Sequence, residues 1–548
     1  IYGDTPKDAF TGQHAEWISE LEKENRVAVI PSPVPRVIAA EEAGLYSAAE
    51  NYEFPVPSLS FMDREGDAWT EEEAITRIIR RFARYNSPFD REELIGRYPF
   101  SGMKLEKILS KLSADGTIVY SDQYKKYFHA AIYDRAARLT LNLAVDEIKA
   151  RDPAELACLL YERQIAIKAA TAEEQLYDAV TRLEGLYLPA DAWENFVFPA
   201  RINGYYPGLL DKLCSSGRIV WRIKPGEGKN QFRLAWFRAE SIDFGYDEST
   251  ETIYLSEKEK NIYTLLRKRG SAFTHVLTSL SGIPAGELLD ILKGLVLKGL
   301  VVNDSFTPLR FFLNEEAYKA LNPMQKAKRI AMIVSGMEMG RWEPAYPPKP
   351  LSMHEFIRRC GIRYGMLSKE ITGLEDSPYT WPEVYEKLKQ MEYAGEMRRG
   401  YFFTGISGIQ FMLPDVLNKL DAVKEDYFVL NASDPAQPYG RIVPHSEQEL
   451  PFTCVPGTAI IFFRGRPVML LERYGEKITF SPDTDDLCKP VQEIKNAFQA
   501  KKIWPERKRI AVKYWPDDPE QKEKLKLVLA AAGFIPEIDK MVLWRTAQ

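Results

Sequence analysis

Residues 292–301 read Leu-Lys-Gly-Leu-Val-Leu-Lys-Gly-Leu-Val, and this short stretch decides how the chain folds. Leu292 and Leu295 are three positions apart, which places both on one face of a helix. Gly299 stands where a helix commonly ends in a left-handed residue, a conformation that glycine adopts without steric cost. Val301 follows two residues later and begins a β-prone run. The stretch therefore predicts the end of a helix, a glycine cap and the start of a strand.

The same pattern of two apolar residues, a Gly or Asn cap and a further apolar residue occurs five times. The five copies are Ile18, Leu21, Asn25 and Val27; Leu109, Leu112, Gly116 and Ile118; Leu210, Leu213, Gly217 and Ile219; Leu292, Leu295, Gly299 and Val301; and Leu388, Met391, Gly395 and Met397. Successive caps lie 82 to 101 residues apart, whereas solenoid repeats are roughly 20–50 residues long. The copies therefore indicate separate small domains in series.

Further helices precede most of these copies, and a second strand often follows them. Helical patterns cover Glu71–Tyr85, Asp90–Tyr98, Ser256–Arg269, Thr274–Leu280 and Ser352–Cys360, and the expected second strands include Gln231–Phe237 and Tyr401–Thr404. Three helices followed by two strands is the order of a winged helix, which is a helix-turn-helix with a β-hairpin. We therefore predict an α+β chain of about five tandem winged-helix modules. Their predicted bounds are 1–52 (incomplete), 66–150, 151–245, 252–345 and 350–422.

After residue 422 the pattern changes to short β-prone runs joined by tight turns. These runs are Gly457–Phe463, Pro467–Glu472 and Lys477–Phe480, and their spacing predicts a small barrel or sandwich. An amphipathic helix, the strand Ile510–Tyr514, the helix Gln521–Ala532 and the strand Met541–Trp544 are expected to close the chain. We therefore predict a β-barrel-like domain with an α/β tail at 423–548.

The bulk composition limits the classes of protein to which the chain can belong. Its 548 residues are 45% hydrophobic and 28% charged, an ordinary globular mixture that is too long for one core. A net charge of −5 disfavours a protein that coats DNA by charge alone, so any nucleic-acid contact must come from local basic patches. The chain starts at Ile1 rather than Met, and we expect it to be part of a longer polypeptide.

Cysteine usage and hydropathy argue for a cytoplasmic location. The five cysteines are scattered without a CxxC pair, which argues against a disulfide framework and a cysteine zinc site and fits a reducing compartment. There is no apolar run of about 18 residues and no signal peptide. We therefore expect neither membrane insertion nor secretion.

The sequence holds no recognisable motor or metal motif. The nearest approach to a phosphate-binding loop, Gly226–Asn230, has the wrong glycine spacing and lacks the Ser or Thr that binds magnesium. No DExH or DEAD box and no nucleophile elbow is present, and the five histidines are isolated. We therefore expect no ATPase, no metal and no cofactor in this chain, and we interpret Gly226–Asn230 as a wing turn.

The strongest nucleic-acid signal lies near the C-terminus. Cations interleaved with aromatic residues are typical of surfaces that hold phosphates while rings stack on bases. The candidate residues are Lys495, Lys501, Lys502, Trp504, Arg507, Lys508 and Arg509. The alternative interpretation is a solvated helix whose aromatic residues fill the core.

Two further basic patches have their own structural alternatives. Arg398 and Arg399 stand beside Tyr401 where a wing would lie, and the alternative is ordinary surface charge on a hairpin. Arg77, Arg80, Arg81 and Arg84 share one face of a first helix, an element that usually supports rather than reads DNA.

Several stretches, in order along nearly the whole chain, resemble the C-terminal region of the bacterial large helicase-related (Lhr) family. They are Arg36-Val-Ile-Ala-Ala-Glu41; Leu188-Pro-Ala-Asp-Ala-Trp193; Phe198-Pro-Ala-Arg201; Gly204-Tyr-Tyr-Pro207; Leu213–Val220; Leu300-Val-Val-Asn-Asp304; Pro308-Leu-Arg310; Gly340-Arg-Trp342; Gly405–Pro414; and Ser433-Asp-Pro435. The resemblance implies that an ATP-dependent 3'-to-5' DNA helicase core precedes this region in the full-length polypeptide. It also implies roles in DNA binding and oligomerisation during DNA repair.

The resemblance leaves three functions open. The first is a DNA-binding accessory region for single-stranded or forked DNA. The second is a DNA glycosylase, because uracil excision is attributed to some members of the family, with a carboxylate close to the C-terminus as the proposed catalytic group. Asp539 is the candidate here, and its alternative role is a turn residue before the last strand. The third function is a scaffold that assembles several helicase copies into a homo-oligomer.

Overall fold

The computed structural model describes residues 3–31, 33–54, 69–146, 149–225, 232–241, 253–313, 322, 324–325, 340–346, 348–418, 420, 426–445, 450–481, 484 and 486–546. The chain divides into two compact units, Ile1–Glu147 and Ile148–Gln548. The predicted wing turn Gly226–Asn230 and the predicted boundaries at 66, 245, 252 and 422 lie outside the described residues. Among the helices that the structure describes, none is long and apolar enough to cross a membrane.

The first unit contains two helix–strand groups that share one hydrophobic core. Its helices are α1 (Gln13–Lys23), α2 (Ala43–Glu50), α3 (Glu71–Asn86), α4 (Arg91–Arg97), α5 (Gly102–Ala114) and α6 (Ala130–Asp146), and its strands are β1 (Thr5–Pro6), β2 (Val27–Ile30), β3 (Arg36–Ala39), β4 (Ile118–Ser121) and β5 (Lys126–His129). The first sheet has the order β1-β3-β2. In the second, β4 pairs with β5 and an isolated bridge from Phe89 to Tyr127 extends the ladder.

A buried ion network joins these two groups. The Arg36 side chain is fully buried, and its guanidinium donates to Glu50 at 2.7 Å. Asp4 accepts from Arg97 at 3.0 Å and from the Tyr98 hydroxyl at 2.8 Å. Burial by itself would raise the pKa of Asp4, but Arg97 and the hydrogen bond from Tyr98 outweigh it and hold that pKa below its usual range. The first helix–strand group therefore depends on the second for its charge balance.

The second unit begins with three groups of helices and short strands. The helices are α7 (Pro153–Gln164), α8 (Ala172–Arg182), α9 (Phe198–Arg201), α10 (Pro207–Ser215), α11 (Glu257–Arg269), α12 (Thr274–Ser281), α13 (Ala285–Leu297), α14 (Thr307–Leu313), α15 (Met353–Tyr364), α16 (Lys369–Gly373), α17 (Trp381–Tyr393) and α18 (Pro414–Leu417). The strands are β6 (Leu188–Pro189), β7 (Ile219–Pro225), β8 (Phe232–Arg238), β9 (Ala272–Phe273), β10 (Val301–Asn303), β11 (Arg341–Pro344), β12 (Met366–Leu367), β13 (Arg398–Gly400) and β14 (Gln410–Met412). The sheet orders β6-β8-β7, β9-β11-β10 and β12-β14-β13 repeat that of the first unit.

All five helix caps predicted from the sequence are confirmed as left-handed. The φ angles are 55° at Asn25, 73° at Gly116, 71° at Gly217, 73° at Gly299 and 77° at Gly395. In each copy the N–H after the cap donates to the carbonyl of the second apolar residue: Arg26 to Leu21 at 2.9 Å, Thr117 to Leu112 at 2.9 Å, Arg218 to Leu213 at 3.1 Å, Leu300 to Leu295 at 3.0 Å and Glu396 to Met391 at 2.9 Å. This is the Schellman bond, which fixes the direction in which the chain leaves a helix.

The second strand of the last of these groups is not where the sequence predicted it. Residues 401–404 form no strand, and β14 supplies that strand instead. Phe402 and Phe403 are buried, and both of their N–H groups donate to the Gln410 side-chain carbonyl. The backbone at 402–404 is thereby bound to the Gln410 side chain and, through an isolated bridge, to Arg151 rather than to a continuous strand. The prediction of a strand at Tyr401–Thr404 was therefore wrong.

The groups around β6–β8 and β9–β11 share one core. The rings of Trp236 and Phe306 lie 5.1 Å apart across the junction. Arg310 donates to Glu194 and to Asp211, both at 2.6 Å. Apolar packing and the half-buried ion pairs of Arg310 therefore hold the two groups together.

The rest of the chain forms two open antiparallel sheets with two helices. They contain β15 (Tyr427–Asn431), β16 (Ala459–Phe463), β17 (Arg466–Glu472), β18 (Lys477–Phe480), α19 (Cys488–Gln499), β19 (Arg509–Val512), α20 (Pro519–Ala531), β20 (Ile535–Glu537) and β21 (Lys540–Trp544). The sheet orders are β15-β16-β17-β18 and β19-β21-β20.

Among the described residues of this region the predicted barrel is therefore not found, and the burial pattern of β16 gives the reason. Ile460 and Phe462 point into a core shared with α7 and with the group around β12–β14. Ala459 and Ile461 point the other way, into a core shared with α19 and the second sheet. A sheet that is apolar on both faces is a central layer between two packed layers and has no interior of its own to enclose.

Helix α7 joins this sheet to the earlier groups. It packs against α15 and the four-stranded sheet. Its N-cap residue Asp152 forms an ion pair with Arg466. The Arg201 guanidinium makes a bidentate contact with Asp434, at 2.8 and 2.9 Å, with both side chains fully buried. Two stretches far apart in the sequence are thus held together by a desolvated ion pair.

We expect a methyl group at Gly465 to disrupt this docking. Gly465 has φ +80° in the β16–β17 turn, and a Cβ there would lie 1.9 Å from the Ala154 carbonyl oxygen. Gly465→Ala should lower the free energy of unfolding by about 2–4 kcal/mol in urea titrations, since both strain and overlap oppose it. Gly408→Ala is the matched control: φ is +77° with nothing within 4 Å, and a loss of only about 1 kcal/mol is expected. Equal losses would contradict the proposed overlap.

Candidate nucleic-acid interface

The cations predicted near the C-terminus surround the junction between α19 and β19. Lys501, Arg507, Lys508 and Arg509 are exposed, whereas Lys495 and Lys502 are half-buried. Lys495 lies on α19 and Arg509 begins β19. The chain therefore presents these six side chains along one continuous segment of helix end, loop and strand.

Trp504 does not share this exposure, in contrast to the stacking role that the sequence suggested. Its side chain is 2% exposed. The indole N–H donates to the Pro456 carbonyl at 3.1 Å, and the ring lies 5.7 Å from that of Tyr474. Trp504 therefore fills the core beneath the basic loop, which is the alternative that the sequence left open for the aromatic residues of this segment.

Trp544 is the exposed indole of this surface, and it was not among the predicted site residues. It is 47% exposed and stands opposite Arg509 in the β19–β21 pairing. The Arg509 guanidinium carbon lies 5.1 Å from the centre of the indole. Strand alternation could have revealed this, since Met541 and Leu543 point into the core and place Trp544 on the other face.

Two more cation–ring pairs extend the surface. Arg507 lies over Tyr474 at 4.1 Å, and Arg473 lies over Tyr514 at 5.0 Å. Tyr514 is 46% exposed. We call Arg473, Arg507, Arg509, Tyr474, Tyr514 and Trp544 the basic sheet surface. Guanidinium groups held flat against rings keep their N–H donors free for phosphates, and exposed rings can stack on bases.

Arg545 holds the loop that carries these groups. Its guanidinium donates to the carbonyls of Phe498 at 2.9 Å and Pro505 at 2.6 Å. Partial burial lowers the pKa of Arg545 below the ordinary value for arginine. This arginine is therefore committed to the backbone of the loop rather than to solvent.

Asp539, the predicted catalytic carboxylate, lies in the exposed turn between β20 and β21. The nearby Lys513 pairs with Glu476 at 2.7 Å, and this hydrogen bond raises the pKa of Lys513. Among the described residues no group of three His, Cys, Asp or Glu side chains could hold a metal ion. Catalysis by Asp539 stays a prediction.

The second predicted patch belongs to a different group of elements. Arg398 and Arg399 lie on β13, whose neighbours Met397 and Phe402 belong to the core on one face of the four-stranded sheet. Tyr474 of the basic sheet surface belongs to the core on the other face. Arg399 pairs with Glu392 at 3.3 Å, and burial raises the pKa of that carboxyl. Arg398 is exposed, and Tyr393 and Tyr401 nearby in sequence are 57% and 51% exposed. Arg398 is therefore the cation of this pair that is better placed for a ligand.

The third patch is largely engaged within the first unit. Arg80 pairs with Asp115 at 3.0 Å, and Arg81 contacts Glu42 and the Tyr46 hydroxyl. Arg77 lies over the ring of Trp69 at 4.9 Å. These contacts are those of a supporting helix.

The strand order, the capped helices and the wings define a tandem winged-helix protein, and two family comparisons agree. The winged-helix domain of the large helicase-related protein matches at residues 152–239 and, in a second model, at residues 350–428. These two matches support the interpretation of the chain as a C-terminal region of a large helicase-related (Lhr) protein.

Two curated relatives extend over most of the chain. It is 27% identical over 448 residues to the "Lhr helicase/ probable uracil glycosylase" of Mycolicibacterium smegmatis, a match that covers 74% of this chain and 29% of that protein. It is 24% identical over 511 residues to the "Lhr helicase/uracil glycosylase" of Escherichia coli, which covers 83% of this chain and 33% of that protein. The chain thus spans about a third of the length of these relatives.

A solved structure of a DNA glycosylase also matches part of the chain. The Streptomyces sahachiroi DNA glycosylase AlkZ superposes with a TM-score of 0.33 at 15% identity, covering 65% of this chain and 98% of that one.

Removal of the exposed indole should weaken binding of single strands selectively. Trp544→Ala is expected to lower the affinity for single-stranded DNA about tenfold, because a base stacked on an aromatic side chain contributes about 1–3 kcal/mol. A duplex offers no unstacked base and should bind as before. Fluorescence anisotropy with labelled oligonucleotides measures both affinities. Tyr254→Ala removes a ring that is 87% exposed elsewhere and serves as the control. An equal loss in both variants, or none in either, would contradict a stacking role for Trp544.

Proposed function

We propose that this chain is the DNA-binding accessory region of a large DNA repair helicase and that it contacts single-stranded or forked DNA. In this proposal the five capped units are five winged-helix modules with the bounds predicted from the sequence, and the last domain begins near residue 423. The basic sheet surface carries the proposal, because it combines exposed guanidinium groups with exposed rings. The Lhr winged-helix matches support the same function.

The overall charge of the chain is compatible with this role. A net charge of −5 would repel DNA if it were spread evenly, but binding depends on the local arrangement of phosphate-contacting cations. Lys501, Arg507, Lys508 and Arg509 are close in sequence and exposed together. We therefore expect the affinity for DNA to come from a few phosphate contacts and to decrease steeply as the salt concentration rises.

Other parts of the proposal concern the longer polypeptide. We propose that an ATP-dependent 3'-to-5' helicase core is part of the same polypeptide. Both relatives are named as helicases, which supports the helicase part of this proposal. We also propose that copies of the chain assemble into a homo-oligomer and that the protein acts in the cytoplasm. Light scattering at micromolar concentration tests the assembly, and a strict monomer would contradict it.

The DNA-binding proposal is tested by removing three cations from the loop. The triple variant Lys501→Ala/Lys502→Ala/Arg507→Ala should bind an oligothymidine and a fork about tenfold more weakly. The slope of log affinity against log salt should decrease by about one for each lost phosphate contact. Binding titrations between about 50 and 200 mM salt measure both quantities.

The control variant removes three exposed lysines from a first helix, α11. Lys258→Ala/Lys260→Ala/Lys268→Ala changes the net charge equally and should leave binding within about twofold, since first helices usually lie away from DNA. If the affinity of the unchanged chain is independent of salt, or if the two triple variants lose the same affinity, the proposal fails.

A second candidate function is uracil excision, which the names of both relatives include. Base excision requires a flipped nucleotide and a carboxylate or activated water at the glycosidic bond. Single-turnover incubation with uracil-containing DNA should then yield abasic sites, detected as alkali-labile breaks. Asp539→Asn should abolish the product and Glu537→Gln should retain it. Absence of product from the unchanged chain would eliminate this function, and full activity of Asp539→Asn would eliminate the residue assignment.

A further inference from the structure

A groove of about 1170 Å³ lies within the second unit, away from the basic sheet surface. Helices α7 and α8 form one side of it, and β15, the end of β16 and α19 form the other. Helix α18 and Ile362 close one end. Small-molecule sites commonly enclose about 300–1,000 Å³, so this groove has room for a short peptide segment.

The apolar walls of the groove are aromatic. Tyr161 stacks on Phe428 with ring centres 4.3 Å apart, and Tyr427 stacks on Phe463 at 4.5 Å. Three of these rings, those of Tyr161, Tyr427 and Phe463, are only half-buried. Their free faces are suited to aliphatic stems and to flat or compact cations.

The polar lining carries more negative charge than positive. Its six carboxyl side chains face three cationic side chains: Glu155, Glu162, Asp178, Asp415, Asp426 and Glu493 against Arg163, Arg182 and Lys489. Two of the three cations are already engaged. Arg163 donates to the carbonyls of Ile362 and Gly361, and Arg182 pairs with Asp178 at 2.8 Å.

Three of the carboxylates, Asp415, Asp426 and Glu493, form no salt bridge within the part of the chain that the structure describes, and the first two are exposed. Asp415 acts on the nearby Arg163 only through its longer-range charge. Burial raises the pKa of the Tyr161 hydroxyl, and the charges of Glu493 and Asp426 add to this rise. The negative charges of Glu493 and Asp426 therefore both act on Tyr161, one of the rings that line the groove.

We infer that this acidic groove is the docking site for a basic peptide segment of a protein partner, one that carries Arg or Lys beside apolar side chains. The stems of such residues would pack on the half-buried rings, and their charged ends would reach the free carboxylates. The same carboxylates repel phosphates, so the groove is no path for DNA. The residues that form it are not those of the basic sheet surface, and peptide docking is therefore independent of the proposed DNA-binding function.

The test is a titration of the full chain with a fluorescein-labelled peptide of alternating Arg and Leu. We expect saturable binding at low salt that a matching peptide of alternating Glu and Leu does not show. Asp426→Lys/Glu493→Lys should weaken binding of the Arg–Leu peptide by about tenfold or more, because it replaces attraction by repulsion at both points. The milder Asp426→Asn/Glu493→Gln keeps the shapes and should weaken binding by a smaller factor.

The matched control is Glu16→Lys/Glu20→Lys, which makes the same change in net charge on exposed residues of the first unit. It should leave peptide affinity within about twofold. Thermal unfolding of each variant distinguishes a loss of peptide binding from a loss of folding. If Asp426→Lys/Glu493→Lys unfolds at a clearly lower temperature than the unchanged chain, Asp426→Asn/Glu493→Gln is used in its place. The inference is overturned if control and groove variants bind the peptide equally, or if oligothymidine displaces it competitively. Loss of DNA binding with retained peptide binding would contradict only the proposed function.

Discussion

One backbone hydrogen bond, repeated five times, determines how this chain is organised. Each of α1, α5, α10, α13 and α17 ends in a left-handed residue, and the N–H of the next residue donates to the carbonyl of the second apolar residue of the pattern. The bond turns the chain sharply, so the strand that follows lies beside the helix that it has just left. The strands β2, β4, β7, β10 and β13 each start from this turn.

The bond also explains why the fold was largely predictable from the sequence. A cap depends on residues within eight positions of each other, such as Leu292, Leu295 and Gly299, so a local pattern is sufficient to identify it. Helices predicted upstream of these caps, such as Glu71–Tyr85 and Ser352–Cys360, were confirmed. The strand Lys477–Phe480, which lies beyond the last cap, was confirmed as well. The predicted strand Tyr401–Thr404 was wrong because side-chain and long-range contacts, to Gln410 and to Arg151, bind that backbone.

The candidate surface was less predictable than the helix caps, because it depends on contacts between residues far apart in the sequence. Trp504 and Trp544 are both aromatic residues close to cations, and only long-range packing decides which one is exposed. The loop around Trp504 folds inward onto Pro456, whereas strand pairing brings Trp544 to Arg509 from the far end of the domain. The barrel prediction was wrong because it also depended on long-range packing. The short strands do not reveal that the sheet is covered on both faces.

The second unit carries two surfaces of opposite charge. The basic sheet surface presents guanidinium groups on rings, and the acidic groove presents free carboxylates beside rings. A net charge of −5 describes neither of them.

The bidentate contact between Arg201 and Asp434 has a consequence for how such an array can change over evolutionary time. The residues belong to groups of elements that are far apart in the chain, and both side chains are fully desolvated. Loss of either partner by a deletion would leave a buried charge without compensation, a state that costs about 3–5 kcal/mol. The helix that carries Arg201 and the region after β15 that carries Asp434 therefore constrain each other, since deletion or exchange of one alone would remove this compensation. We expect these two parts of the chain to be retained together.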